Sequence, residues 1–213
     1  MSAASTTLAA LRGIVPVLTV EDPAQAAALA RTLVDAGLSV LEVTLRTPGA
    51  LEAITRMRDV PGAIVGAGTV LTATELTAVE RAGAAFAISP GATPALYDAA
   101  RDTALPFLPG IATPGELMAG LERGFRRFKF FPAEAAGGTQ MLAGLAGPFP
   151  NVEFCPTGGI DADKAVDYLR LRNVFAIGGS WMVPKPLVQA ARWQEIGALA
   201  AKAAALYAAC RQQ

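Results

Sequence analysis

The sequence predicts a single-domain α/β protein, a (β/α)8 barrel, and three observations carry that expectation. Eight short apolar, β-branched runs alternate with Ala/Leu-rich amphipathic stretches along 213 residues. Those runs are apolar at successive positions, as strands buried on both faces of a parallel sheet require. No Gly-rich turn follows the first run, GIVPVLTVEDP (13–23), where an open doubly wound sheet would place one. Eight strand–helix repeats close into a barrel of the TIM type, and this length lies at the small end of that fold's range.

The expected strands are 13–20 (GIVPVLTV), 40–45 (VLEVTL), 64–70 (IVGAGTV), 86–90 (FAISP), 106–112 (PFLPGIA), 127–132 (RFKFFP), 152–159 (VEFCPTGG) and 174–180 (VFAIGGS). Asp22-Pro23, Thr47-Pro48, Thr93-Pro94 and Thr113-Pro114 each place a capping oxygen before a proline at the first helical position. Gly37 and Gly83 stand where two of these helices end. About 1–12 reads as a short extension and about 185–210 as a C-terminal helix. With no linker, charge run or low-complexity segment, one domain is expected.

Composition narrows the chemistry. Hydrophobic residues make up 53% and charged residues 17%, enough apolar material for a sizeable core without staples. Lys+Arg and Asp+Glu both total 18, a balance that argues against nucleic acid as a partner. There are 0 histidines. That excludes Ser-His-Asp and Cys-His nucleophiles and every His-ligated metal site, so neither metal nor cofactor is expected. Cys155 and Cys210 make no disulfide framework and read as free thiols. The N-terminal MSAASTTLAALRG has neither a basic region nor a continuous apolar run, so no signal peptide is expected. Without a long uninterrupted apolar stretch no membrane span is expected either, and the chain reads as cytoplasmic.

Alternation along a barrel strand sends every second side chain inward. In VLEVTLR (40–46) the apolar Leu41, Val43 and Leu45 share one parity and must face the helices. Glu42, Thr44 and Arg46 are then expected to point into the barrel. In RFKFFP the same rule sends Phe128 and Phe130 outward and Lys129 inward. Barrel interiors are normally layers of Val, Ile and Leu, and an unpaired charge there costs several kcal/mol. A buried pair that only holds strands together is the bland reading; three converging ionisable groups favour function.

Lys129 is one of four lysines; Lys164, Lys185 and Lys202 read as solvated surface residues. Its surroundings, Phe128, Phe130, Phe131 and Pro132, favour a neutral amine, and a nearby Arg46 charge would push the same way. A neutral, confined lysine is the nucleophile that forms a Schiff base with a ketone. Thr69 ends the third run with an inward parity shared with Val65 and Ala67, and serves either the site or a helix cap. Pro90, in SPG, either lines the pocket mouth or ends the strand.

The last two runs end in PTGGI (156–160) and IGGS (177–180). Glycine pairs there let backbone N–H groups approach an anion with a helix N-terminus behind them. In barrels the loops after strands seven and eight commonly bind phosphate.

In company, LEVTLRT (41–47), IVGAGTV (64–70), FAISPG (86–91), RFKFFPAE (127–134), FCPTGGI (154–160) and IGGSWMVP (177–184) resemble the KDPG/KHG aldolases. These are class I aldolases acting on 2-dehydro-3-deoxy-6-phosphogluconate and 4-hydroxy-2-oxoglutarate. The resemblance runs from about Gly13 to Pro184. It implies a (β/α)8 barrel, usually a homotrimer, that cleaves a phosphorylated keto acid and releases pyruvate. It implies Lys129 as the Schiff-base residue and Glu42 as the acid/base. Arg46 and Thr69 would hold the pyruvate carboxylate end with Pro90 close by. Gly158, Gly159, Gly179 and Ser180 match the phosphate-binding segments, with Thr157 beside them. The galactonate epimer of the phosphogluconate substrate stays open. So do a phosphosugar isomerase or epimerase on the same phosphate loops, and a sugar-phosphate binder without turnover.

Overall fold

In the computed structural model residues 11–210 are described, so most of the expected N-terminal extension lies outside the described residues. The chain alternates β1 (Gly13–Leu18), α1 (Ala26–Asp35), β2 (Val40–Thr44), α2 (Ala50–Arg58), β3 (Ile64–Gly68), α3 (Ala73–Arg81), β4 (Ala87–Ile88) and α4 (Pro94–Arg101). It continues through β5 (Phe107–Leu108), β6 (Gly110–Ile111), α5 (Pro114–Glu122), β7 (Arg127–Phe130), α6 (Gly138–Ala146), β8 (Glu153–Pro156), α7 (Ala162–Leu169) and β9 (Ala176–Gly179). Helices α8 (Lys185–Gln189) and α9 (Trp193–Cys210) follow.

All strand pairings are parallel. One sheet runs β5-β4-β3-β2-β1-β9 and a second β6-β7-β8. The expected fifth strand is split into β5 and β6 at Pro109, which has no N–H to give a ladder. Bridges Phe154↔Val174 and Thr157↔Gly178 link the β8 segment to the β9 segment. The architecture is thus an α/β fold with a curled parallel sheet.

Sequence chemistry accounts for most helix ends. Thr93 and Thr113 cap α4 and α5 with proline in the first turn, and Thr113 completes a capping box with Glu116. Asp22 caps a single 3-10 turn, Pro23–Gln25, that leads into α1. Gly37 and Gly83, at φ of 93° and 83°, follow the ends of α1 and α3. Thr47 departs from expectation. Helix α2 starts at Ala50 behind Gly49, and Thr47 Oγ1 instead donates to the Val20 carbonyl at 2.6 Å, tying the loop after β2 to the end of β1. The expected single C-terminal helix is two helices, parted where Ala191 takes a φ of 50°.

Two apolar clusters sandwich the strands. The outer one packs Ile14, Leu41, Val65, Phe128, Phe130 and Phe154 against the helices. The inner one gathers Leu11, Val15, Val40, Phe86, Ile88, Leu108, Cys155 and Phe175. Strands with both faces buried are what continuous apolar runs encode. The functional side chains interrupt the inner layer. Among the described residues no helix is long and apolar enough to cross a membrane.

Candidate active site

Strand β2 is buried along its whole length, and Glu42 is 1% exposed on it. Lys129, 4% exposed on β7, comes from the other sheet. Its Nζ donates to Glu42 Oε1 at 2.9 Å. The parity argument therefore holds for both: Phe128 and Phe130 pack outward against the helices, and Lys129 and Glu42 meet inside. Burial is costly for either charge alone, and each supplies the counter-charge the other needs. Nζ also lies 5.3 Å from the centre of the Phe131 ring.

Space for Glu42 comes from β3. A Cβ on Gly68 would lie 2.1 Å from Glu42 Oε1, and one on Gly66 would meet the Phe86 ring at 2.1 Å. Two inward positions of β3 are thus glycines, with Ile64 the third. Val65 and Ala67 pack outward with the helices, which corrects their expected inward parity. Thr69 follows the last strand residue at a φ of 60°, so strand alternation no longer governs where it points. It is half-buried, and a β-branched residue in that conformation is a strained position of the kind found at functional sites.

Arg46 requires a second correction. Strand β2 stops at Thr44, and Arg46 is exposed rather than buried. Beyond the strand the pleat no longer aims side chains inward. No hydrogen bond or ion pair holds its guanidinium among the described residues. The charge facing Lys129 is the Glu42 carboxylate, not Arg46. Thr44 is buried on the Glu42 face with its hydroxyl donating to the Leu18 carbonyl at 2.9 Å.

Around the pair, Lys129 sits in register between Gly110 and Cys155. Gly110 has no room for a side chain: a Cβ would be 2.3 Å from the Pro90 carbonyl carbon. Half-buried Pro90 therefore packs one strand from Lys129. Buried Ser89, beside it, accepts the Gly110 N–H at 3.3 Å. The Cys155 thiol is pushed up to about 12, by burial first and then by the negative charge of Glu42. It is an inert wall beside the amine rather than a nucleophile.

The glycine loops lie past the ends of β8 and β9. Thr157 is buried and bridges to Gly178. Gly158 and Gly159 take φ of 105° and 78°. Gly179 is buried against Trp181, whereas Ser180 is exposed. Ser180 also lines a cleft of about 380 Å³ with Thr19, Asp22, Gln25, Lys185 and Gln189, to which neither Lys129 nor Glu42 contributes. The helix behind PTGG is already capped: Asp161 accepts from the Lys164 N–H at 3.0 Å. That bond satisfies one of the helix's free N–H groups and sets a carboxylate beside its N-terminus.

Sequence reading passed over one cluster here. Glu134, in the loop after β7, pairs with Lys164 Nζ at 2.8 Å and accepts the Tyr168 hydroxyl. Hydrogen bonds from Lys164 and then Tyr168 hold the Glu134 carboxyl below its ordinary value. Lys164 is raised by the same bond, and burial followed by Glu134 pushes the Tyr168 phenol up. The i,i+4 spacing of Lys164 and Tyr168 on α7 was the available signal. Among the described residues no three His, Cys, Asp or Glu gather as metal ligands.

The chain matches the family model "KDPG and KHG aldolase" over residues 6–199. It is 50% identical over 191 residues to the KHG/KDPG aldolase of Escherichia coli (strain K12), covering 89% of this chain and 90% of that one. Its fold is similar to the KDPG aldolase of Legionella pneumophila with pyruvate captured as a covalent carbinolamine intermediate. That match has a TM-score of 0.89 at 42% identity and covers 94% of this chain and 97% of the other. It is likewise similar to the 2-keto-3-deoxy-6-phosphogluconate aldolase of Zymomonas mobilis ZM4 with 3-phosphoglycerate. There the TM-score is 0.88 at 47% identity, with 95% of each chain covered.

Proposed function

Because the chain belongs to the KDPG and KHG aldolase family, we propose that it cleaves 2-dehydro-3-deoxy-6-phosphogluconate to pyruvate and glyceraldehyde 3-phosphate through a Schiff base on Lys129. The observation that carries this reading is the buried pair of Lys129 and Glu42, 2.9 Å apart.

The substrate carboxylate meets Arg46 and Thr69 at the strand ends, with Pro90 beside them. That fixes the keto carbon next to Nζ. A proton passes from Lys129 to Glu42, and the neutral amine adds to the keto carbon. Glu42 returns the proton to the departing hydroxyl, water leaves, and an iminium remains. Its positive nitrogen takes the electron pair of the bond between the third and fourth carbons, while the Glu42 carboxylate removes the proton of the C4 hydroxyl. Glyceraldehyde 3-phosphate leaves. Glu42 protonates the enamine carbon, and water hydrolyses the iminium to free pyruvate. The segment Thr157, Gly158, Gly159 with Gly179 and Ser180 takes the phosphate and aligns the breaking bond from a distance. The name of the Escherichia coli relative supports 4-hydroxy-2-oxoglutarate as a second substrate.

The same reading takes the two sheets as one closed eight-stranded barrel, with β5 and β6 as a single strand interrupted at Pro109. Two bridges from β8 to the β9 segment support that closure. Family likeness carries a cytoplasmic homotrimer with it.

The test is borohydride reduction in the presence of pyruvate, followed by peptide mass mapping. A reduced pyruvate adduct on Lys129, missing in Lys129→Ala together with all cleavage, is expected. An adduct on another lysine, or turnover retained by Lys129→Ala, overturns the reading.

A further inference from the structure

The Gly158–Gly159 turn bridges to Gly178 through Thr157, and its carbonyls are held from the opposite side. Ala133 N–H donates to the Thr157 carbonyl at 2.8 Å, and Glu134 N–H donates to the Gly158 carbonyl at 3.1 Å. Lys164 Nζ donates to the Gly159 carbonyl at 3.3 Å. In a trans peptide the N–H points opposite to the preceding C=O. Three consecutive carbonyls drawn toward the 133–134 loop and α7 therefore turn the following N–H groups, those of Gly159 and Ile160 included, the other way. Successive N–H groups aimed alike make an anion-binding concavity. Side chains on this turn are barred: φ is positive at both glycines, and a Cβ on Gly159 would strike Glu134 Cγ at 2.8 Å.

What keeps Lys164 on the Gly159 carbonyl is Glu134. Its carboxylate binds Nζ through one oxygen and the Tyr168 hydroxyl through the other. Tyr168 is 1% exposed, so that hydroxyl cannot reach a ligand. Its hydrogen bond fixes the carboxylate, and the carboxylate fixes the ammonium.

We propose that Glu134, Lys164 and Tyr168 are positioning residues for the substrate's phosphate: together they lock the Gly158–Gly159 turn with its N–H groups facing the anion. This rests on the aldolase reading and extends it to residues that need not touch the substrate. It also makes Lys164 a working part of the site rather than a solvated surface lysine.

The experiment measures kcat and KM of Tyr168→Phe, Glu134→Gln, Lys164→Met and Lys164→Arg with two substrates. One is the phosphorylated six-carbon keto acid, and the other is 4-hydroxy-2-oxoglutarate, which has no phosphate. Loss of an ordered charged hydrogen bond predicts a KM about tenfold or more higher for the phosphorylated substrate. Its kcat should stay within about twofold, and the values for hydroxyglutarate should not move. Lys164→Arg should restore most of the loss. Inhibition by inorganic phosphate should weaken in parallel. An unchanged KM, or equal damage to both substrates, overturns the proposal. If Glu134→Gln fails to fold, Lys164→Met, on the half-exposed first turn of α7, carries the same test. A wild-type chain that cleaves neither substrate and gives no borohydride adduct overturns the aldolase reading and this proposal with it. Normal wild-type turnover with indifferent variants overturns this one alone.

Discussion

At one end of the site Lys129 and Glu42, with side chains 5% and 2% exposed, reach each other from strands of two different sheets. At the other end Lys164 and Glu134 pair with side chains 47% and 33% exposed, on a helix and a loop. Both are ion pairs of nearly equal length, 2.9 and 2.8 Å. Their physics differs. The first pair is placed by sheet register and depends on mutual neutralisation, because removing one partner strands a charge in a dry interior. The second is screened by water and contributes little to stability, but it holds backbone carbonyls in place. Strands place the first pair, and a helix and a loop place the second.

The largest expected break in this comparison is Glu42→Gln. It removes the acid/base group while leaving the amine in a buried, polar surrounding. Proton exchange at the pyruvate methyl group, followed by NMR, should slow about 10²–10⁴-fold while borohydride still traps pyruvate on the enzyme. Undiminished exchange moves the acid/base role away from the strand-borne pair.

Gly68→Ala is a subtler probe of the same end. The added methyl would occupy the place of the Glu42 carboxylate, which must then shift. Overpacking of this kind costs about 1–3 kcal/mol of stability, visible as a lower melting temperature. The cleavage rate should fall more than phosphate affinity does. A variant with normal turnover would mean that Glu42 has more freedom than its buried setting implies.

The smallest effect concerns reactivity rather than turnover. Cys210 is half-buried near the end of α9, whereas Cys155 is fully enclosed with its thiol pushed up to about 12. Raising the pH toward 9.0, the ordinary thiol value, leaves Cys155 protonated. Mass-mapped alkylation should mark Cys210 in the folded protein and Cys155 only after unfolding. Rapid labelling of Cys155 in the native state would show that the wall beside Lys129 opens.

The contrast also sorts what the sequence made legible. Lys129 and Glu42 were readable because they sit mid-strand, where a two-residue period holds and a charge among apolar neighbours stands out. Arg46 is exposed because the rule does not hold past the strand end at Thr44, and Thr69 likewise lies beyond Gly68 in backbone that no longer pleats. Thr93 and Thr113 cap their helices as the Thr-Pro pattern suggests, yet Thr47 bonds to the Val20 carbonyl, a contact set by the neighbouring strand. Gly66 and Gly68 leave room for Phe86 and Glu42, a role set by neighbouring strands and not by local pattern. Glu134 finds its partners on a helix that only the folded chain brings near. Local periodicity is written in the chain; contacts made by loops after folding are not.

Lys129 and Glu42 are separated by 87 positions and belong to different sheets. A nascent chain that reaches only as far as β6 holds the acid without its amine. The pair is thus complete only once β7 has joined the fold, and the six-stranded sheet itself waits longer, for β9.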